Sequence, residues 1–279
     1  MMEDKIQIGN LYIGQKSPIF IIAEVGINHN GDMKTAFELI DKAKWAGASA
    51  VKFQTYITEK RVLKDSPIFN ILKQCELSFQ QQKELFEYAN SKDIMAFSTP
   101  FDSESVAFLS EINTPCFKVA SFDLVNTPLL RVIAQQKSPV IISRGMANMN
   151  EIDIAMNILK DLPTVLLHCI SSYPVPNHTS LNLSTIPALR ERYNSIIGYS
   201  DHTMDIEASQ FAIACGAKVI EKHFTLSQSM DGPDHLISSE PKQLKKLIER
   251  CRFVNEMMGD PAWESIEAEK DILQYRRKN

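Results

Sequence analysis

Hydrophobic and polar positions alternate in blocks along this chain. Short, nearly continuous apolar runs are separated by longer stretches in which apolar residues recur at helical spacing. Residues 5–14, KIQIGNLYIG, read as two short strands about a Gly9–Asn10 turn, a β-hairpin. Residues 18–26, PIFIIAEVG, then form a run expected of a strand buried on both faces. Residues 33–47 place Ala36, Leu39, Ile40 and Ala43 on one helical face and stop at Gly47. This strand–helix unit recurs. Strands are predicted over 50–56, 94–101, 116–122, 139–145, 164–172, 195–200 and 219–224. Helices are predicted over 78–92 (Ser78 as N-cap), 103–112, 127–137, 150–161, within 184–193, over 205–216 and over 241–259.

Eight such units predict an α/β fold, a (β/α)8 TIM barrel whose N-terminal end is plugged by the hairpin. A doubly wound open sheet usually has fewer strands and a Gly-rich first turn, and no G-x-G-x-x-G occurs. Residues 1–260 are assigned to the barrel. Residues 261–279 read as a polar tail ending in Arg276, Arg277, Lys278 and Asn279, or as the start of a further domain. Long connections at 57–77 and 173–183 follow the second and sixth barrel strands, where active sites of such barrels are built.

Composition narrows the function. With 44% hydrophobic and 23% charged residues, the chain is an ordinary globular one. A net charge of −4 implies no basic face, which argues against nucleic acid or an anionic membrane as partner. An anionic substrate then needs local cations. The five cysteines are widely spaced and form no C-x-x-C pair, so a zinc knuckle or redox dithiol is not expected and a reducing cytoplasm is. Residues 1–7 do not resemble a signal peptide, and no apolar run approaches membrane-spanning length.

Catalytic groups of a barrel lie at the C-terminal strand ends, whatever their separation in sequence. Glu24 ends the first barrel strand, Lys52 and Gln54 the second, and Ser98 and Thr99 the third. Lys118, Ser121 and Asp123 end the fourth, and Ser143 and Arg144 the fifth. His168, Ser171, Ser172 and Tyr173 lie on or after the sixth. His202 and His223 follow the seventh and eighth. On neighbouring parallel strands these last two backbones stand about 5 Å apart. That spacing suits two imidazoles on one divalent metal; a bonded cap on each strand is the plainer alternative. Lys52 and Lys118 interrupt apolar runs, where an ammonium is costly unless paired or turned to a ligand. With the hydroxyls of Thr99, Ser121 and Ser143 at the same rim, they suggest a phosphate or carboxylate site. Glu24, near His29, reads as a third metal ligand, a general base or the ion-pair partner of Lys52. Asp234 and His235 in the last loop read as metal or sugar contacts, or as turn formers.

In chain order, IIAEVGINHNGD (21–32), AVKFQTY (50–56), STPFD (98–102), KVASFD (118–123), ISRGMA (142–147), LHCISSYPVP (167–176), IIGYSDHT (196–203), EKHFT (221–225) and GPDH (232–235) cover nearly the whole barrel. Together they resemble the sialic acid (N-acetylneuraminate) or nonulosonic acid synthase family. The resemblance implies condensation of phosphoenolpyruvate with an open-chain N-acylated hexosamine and water. The products would be a nine-carbon 2-keto-3-deoxy acid and phosphate. It implies a divalent metal, manganese or magnesium, held by His202 and His223. Lys52, Lys118, Ser121 and Ser143, with Thr99 near, match the phosphoenolpyruvate site, and Glu24 matches a catalytic carboxylate. Tyr173 and Asp234, with Gln54 beside them, match sugar contacts.

Departures from the family pattern concern the acceptor. Asp123 stands where Glu is common, Ser171 where N-acetylneuraminate synthases have Asn, and Arg144 where Thr is usual. Arg144 is expected to add local positive charge. Family members usually carry a C-terminal antifreeze-like domain whose arginine reaches the partner subunit's sugar site, which makes a homodimer the assembly to test. N-acetylmannosamine and a diacetamido-trideoxyhexose of the legionaminic or pseudaminic type both stay open as acceptors. The rival readings are an octulosonate- or heptulosonate-phosphate type of synthase, a Schiff-base pyruvate lyase using Lys118 or Lys52, and a non-catalytic sugar-binding barrel.

Overall fold

The computed structural model describes residues 5–277. The first four residues and the last two, Lys278 among them, lie outside the described residues, as do those parts of the N-terminal and tail readings. Eight parallel strands close a barrel: β3 (Phe20–Gly26), β4 (Ala50–Thr55), β5 (Met95–Pro100), β6 (Phe117–Val119), β7 (Val140–Ser143), β8 (Thr164–Cys169), β9 (Ile196–Asp201) and β10 (Val219–His223). They follow one another in chain order, and β10 returns to β3. The predicted barrel is therefore the observed one. Its hairpin, β1 (Lys5–Ile8) and β2 (Leu11–Gly14), pairs antiparallel about a turn in which Gly9 takes φ +55°.

Helices pack around the strands: α1 (Met33–Ala46), α4 (Phe79–Ser91), α5 (Ser103–Glu111), α6 (Thr127–Gln135), α7 (Met149–Ile158), α8 (Thr185–Tyr193), α9 (Glu207–Ala214) and α10 (Pro241–Met258). Their starts are written locally. Asp32 accepts from the N–H groups of Lys34 and Thr35, and Ser78 with Gln81 forms a reciprocal capping box. The long connection at 57–77 is not bare loop: it holds α2 (Thr58–Arg61) and α3 (Phe69–Cys75). The strand predicted over 116–122 ends early, at Val119, because the chain turns into a 3₁₀ helix, Ser121–Asp123.

Strand periodicity separates two cores. Residues facing out, such as Ile21, Ala23, Val51, Phe53 and Ile142, pack under the helices. Those facing in at the N-terminal end, Phe20, Ile22, Ala50, Phe97, Ile141 and Val165, form a second cluster with Ile6, Ile8 and Ile13 of the hairpin. Burying one such aliphatic side chain contributes about 1.5–3 kcal/mol, which is what holds the hairpin in place as a plug. Two residues further along five of these strands, the inward face becomes polar. Glu24 follows Ile22, Lys52 follows Ala50, Thr99 follows Phe97, Ser143 follows Ile141, and Glu221 follows Val219. The barrel is thus apolar below and ionic above. No helix is long and apolar enough to cross a membrane among the described residues. The tail carries an exposed 3₁₀ helix, Glu267–Tyr275, with no buried residue.

Candidate active site

The ionic end of the barrel opens into a cavity of about 390 Å³. Eleven of the residues singled out by sequence line it: Glu24, Lys52, Gln54, Thr99, Lys118, Ser121, Ser143, Tyr173, His202, His223 and Asp234. A larger cavity of about 530 Å³ lies at the opposite end, bordered by Leu159, Thr164, Tyr193 and Ile196, and none of these eleven reaches it.

Register explains the first ion pair. Glu24 and Lys52 are direct partners on β3 and β4, and Nζ of Lys52 stands 2.7 Å from Oε2 of Glu24. Lys52 also donates to Oγ1 of Thr99 at 3.1 Å. Of the roles open to Glu24, the ion pair is formed. His29 plays no part in it, since its Nδ1 accepts from the Gly31 N–H at 3.0 Å. Lys118 donates to Oγ of Ser143 at 2.7 Å and to the Val119 carbonyl at 3.0 Å. Between the two lysines stands Glu221, 3.7 Å from Lys52 and 3.8 Å from Lys118, and held by a 2.8 Å bond from Oγ of Ser200.

These four charged groups are almost fully buried, and burial acts first on each. It raises Glu24 above the usual carboxylate range although Lys52 pulls it down, the direction a proton-transfer group needs. It lowers Lys118. Lys52 is instead raised, because Glu221 and Glu24 outweigh its desolvation. Burial alone would raise Glu221, but the Lys118 and Lys52 ammoniums hold it down at about 2. A third buried lysine, Lys222, is structural. It pairs with Asp201 at 3.2 Å and donates to the Asp205 carbonyl at 3.0 Å, away from the cavity.

The two histidines line the same cavity as the lysines, His223 being the register partner of Glu24. Their ring centroids lie 5.6 Å apart. Nδ1 of His202 is 2.7 Å from the Ile170 carbonyl, which makes it the donor and leaves Nε2 with its lone pair. Burial pushes His202 down to about 4, so the ring is neutral at physiological pH. Nδ1 of His223 is buried with no hydrogen-bond partner and lies 3.9 Å from the Asp234 carboxylate. The Tyr173 ring covers both imidazoles, at centroid distances of 4.3 and 6.0 Å. An unpartnered buried ring nitrogen beside a neutral imidazole of fixed tautomer is a donor set that fits a divalent cation.

Other expectations are corrected. Asp123 stands off the cavity, where the 3₁₀ turn after β6 ties its carboxylate to Nδ2 of Asn126 at 3.0 Å. Ser171 is also off the wall and buttresses Ser121, Oγ to Oγ 3.0 Å. Arg144 does not line the cavity, and its Nε donates to Nδ1 of His168 at 3.3 Å. His235 is a structural residue, with Nδ1 2.6 Å from Oγ1 of Thr225.

Sequence reasoning missed Glu221, Ser200 and Arg61. Glu221 stands two positions before His223 on β10, and Ser200 stands on β9 two positions before His202, which follows that strand, so the two-residue alternation points to both. Arg61 had no such signal. It lines the cavity from the end of α2, its guanidinium 3.6 Å from the Phe101 ring centroid and 4.6 Å from that of Tyr56. Ile68, Ile71 and Leu72 make an apolar wall beside it.

The chain as a whole has relatives. N,N'-diacetyllegionaminic acid synthase of Campylobacter jejuni is 38% identical over 93% of this chain and 83% of its own length. Pseudaminic acid synthase of the same species is 33% identical over 97% of this chain and 82% of its own length. The crystal structure of the N-acetylneuraminic acid (sialic acid) synthetase of Leptospira borgpetersenii, in complex with citrate, superposes with a TM-score of 0.94 at 40% identity, covering 98% of this chain and 96% of that one. The NeuB family pattern matches residues 39–262, from inside α1 to just past α10, a span that carries every cavity residue except Glu24 and Ile27, and this chain belongs to the NeuB family.

Proposed function

We propose that this protein condenses phosphoenolpyruvate with the open aldehyde form of an N-acylated amino sugar, giving a nine-carbon 2-keto-3-deoxy acid and inorganic phosphate. One observation carries the reading. Two buried lysines with their hydroxyl partners line one cavity together with two buried imidazoles, and Glu24 sits on its wall. The synthases to which the chain is similar make sugar acids of this type by name.

The reaction balances with the groups present. Carbon 3 of the enol phosphate attacks the aldehyde carbon, water adds at carbon 2, and the bond from carbon 2 to the phosphate oxygen breaks. Lys52 and Lys118, with Thr99, Ser121 and Ser143, supply the charge-assisted donors that hold the phosphate and carboxylate of phosphoenolpyruvate. Glu24, raised by burial, is positioned to carry a proton between water and the departing or forming oxygens. Tyr173 keeps bulk water off the imidazole side. A divalent ion, manganese or magnesium, held by His202 and His223 would supply Lewis acidity at the aldehyde oxygen. Among the described residues no three His, Cys, Asp or Glu form a metal cluster, so further ligands would come from substrate or water.

A Schiff-base lyase draws support from Lys118, whose pKa burial lowers. Its ammonium, however, is occupied by Ser143 and the Val119 carbonyl. Phosphate release from phosphoenolpyruvate, measured with manganese or magnesium and a panel of N-acyl amino sugars, tests the synthase. Acceptor-dependent release abolished by a chelator is the expected result. Release with no member of the panel, or borohydride trapping of pyruvate on Lys118, would overturn it.

A further inference from the structure

Gln54 joins two groups of opposite character. Its Oε1 accepts from a guanidinium nitrogen of Arg61 at 2.9 Å, and its Nε2 donates to Oε1 of Glu24 at 3.3 Å. We propose that Arg61 is a positioning residue for the condensation, acting through Gln54 to keep an N–H donor on the Glu24 carboxylate. The proposal rests on the condensation reading above.

A carboxamide has two orientations of nearly equal shape, with donor and acceptor exchanged. Beside a carboxylate only one is acceptable. Arginine has donors and no acceptor, so on the far side of Gln54 it admits only the oxygen. The two neighbours together select a single orientation, and Glu24 therefore meets N–H on one oxygen and the Lys52 ammonium on the other.

Arg61 is itself held for this task. Its guanidinium is stacked on Phe101 and faces Tyr56, whose hydroxyl donates to the Leu72 carbonyl of α3 at 2.9 Å. Asp123, Asp234 and Glu24 act on it only at a distance, so its one close polar partner among the described residues is Gln54. A second observation is independent of Arg61. The ladder between β3 and β4 shifts between Glu24 and Gly26, and Gly26 takes φ +55°. A Cβ there would stand 3.1 Å from Oε1 of Glu24 and 3.2 Å from Nε2 of Gln54. The backbone is opened at the place where the amide meets the carboxylate.

A double-mutant cycle with Arg61→Ala, Arg61→Lys and Gln54→Ala tests the idea by phosphate release. Arg61→Ala should lower kcat about tenfold or more while both KM values stay within about threefold, and Arg61→Lys should recover most of it. Added to Gln54→Ala, Arg61→Ala should change kcat by less than about twofold, since both act through one contact. Additive losses, or a raised acceptor KM at unchanged kcat, would mean that Arg61 touches the acceptor and would overturn the proposal. Crystal structures of the wild type and of Arg61→Ala give an arm that needs no turnover. Gln54 leaving Glu24 in the variant supports the link even if no acceptor is turned over, the result that would defeat the condensation reading alone. Gln54 staying in place overturns it.

Discussion

Glu221 and Lys118 face each other across the barrel interior, Oε1 of one 3.8 Å from Nζ of the other, on strands β10 and β6 that lie on opposite arcs of the closed sheet. With Glu24 and Lys52 beside them, two buried cations are balanced by two buried anions before any substrate enters. The four groups form one buried network, and removing any one of them leaves its partners' charge uncompensated.

Glu221→Gln is expected to lower stability by about 3 kcal/mol, because it leaves Lys118 with a buried charge and no carboxylate. Thermal and urea unfolding measure this. Lys118→Met added to Glu221→Gln should recover part of the loss, since it removes the stranded charge. An unchanged midpoint in the single variant would show that the pair is not a structural unit.

His202→Ala and His223→Ala should each weaken divalent metal binding by about tenfold or more and reduce turnover with it. Metal analysis of purified protein reads the first effect without reference to activity. Full metal occupancy in both variants would rule out a shared site between the two rings.

Lys118→Ala should raise the KM for phosphoenolpyruvate by about 10–100-fold and that for the amino sugar far less, because its Nζ and Ser143 lie on the lysine side of the cavity. Steady-state kinetics with each substrate varied in turn decides it. Equal increases in both values would contradict the assignment.

Acid should destabilise the fold through two buried histidines away from the catalytic groups. Burial pushes His29 and His168 down to about 4. Between pH 6.5 and 4 the unfolded chain binds protons that the folded chain refuses. Stability is then lost as pH falls through that window and levels off below it. Each contributes up to about 3 kcal/mol. Melting temperatures of the wild type, His29→Asn and His168→Asn from pH 7 to 4 test this, and the variants should show a shallower slope. Parallel curves would contradict it.

Alternating apolar runs and helical faces made the eight strand–helix units and their plug readable directly, because in a closed parallel barrel the burial of each strand is a local property of its own residues. The same two-residue period carried Glu24, Lys52, Thr99, Lys118, Ser143 and His223 to one rim. It failed where the strand stopped early: β6 ends at Val119, so Asp123 falls in a turn, where its carboxylate accepts from Asn126 instead of lining the cavity. Tertiary structure alone decided which charge meets which. Glu221 reaches Lys118 because the sheet closes, Arg144 is spent on His168, and Arg61 swings in from α2 to grip Gln54. Strand periodicity states which way a side chain points. Pairing across the barrel depends on closure and on loop packing, which bring together residues that no spacing along the chain relates.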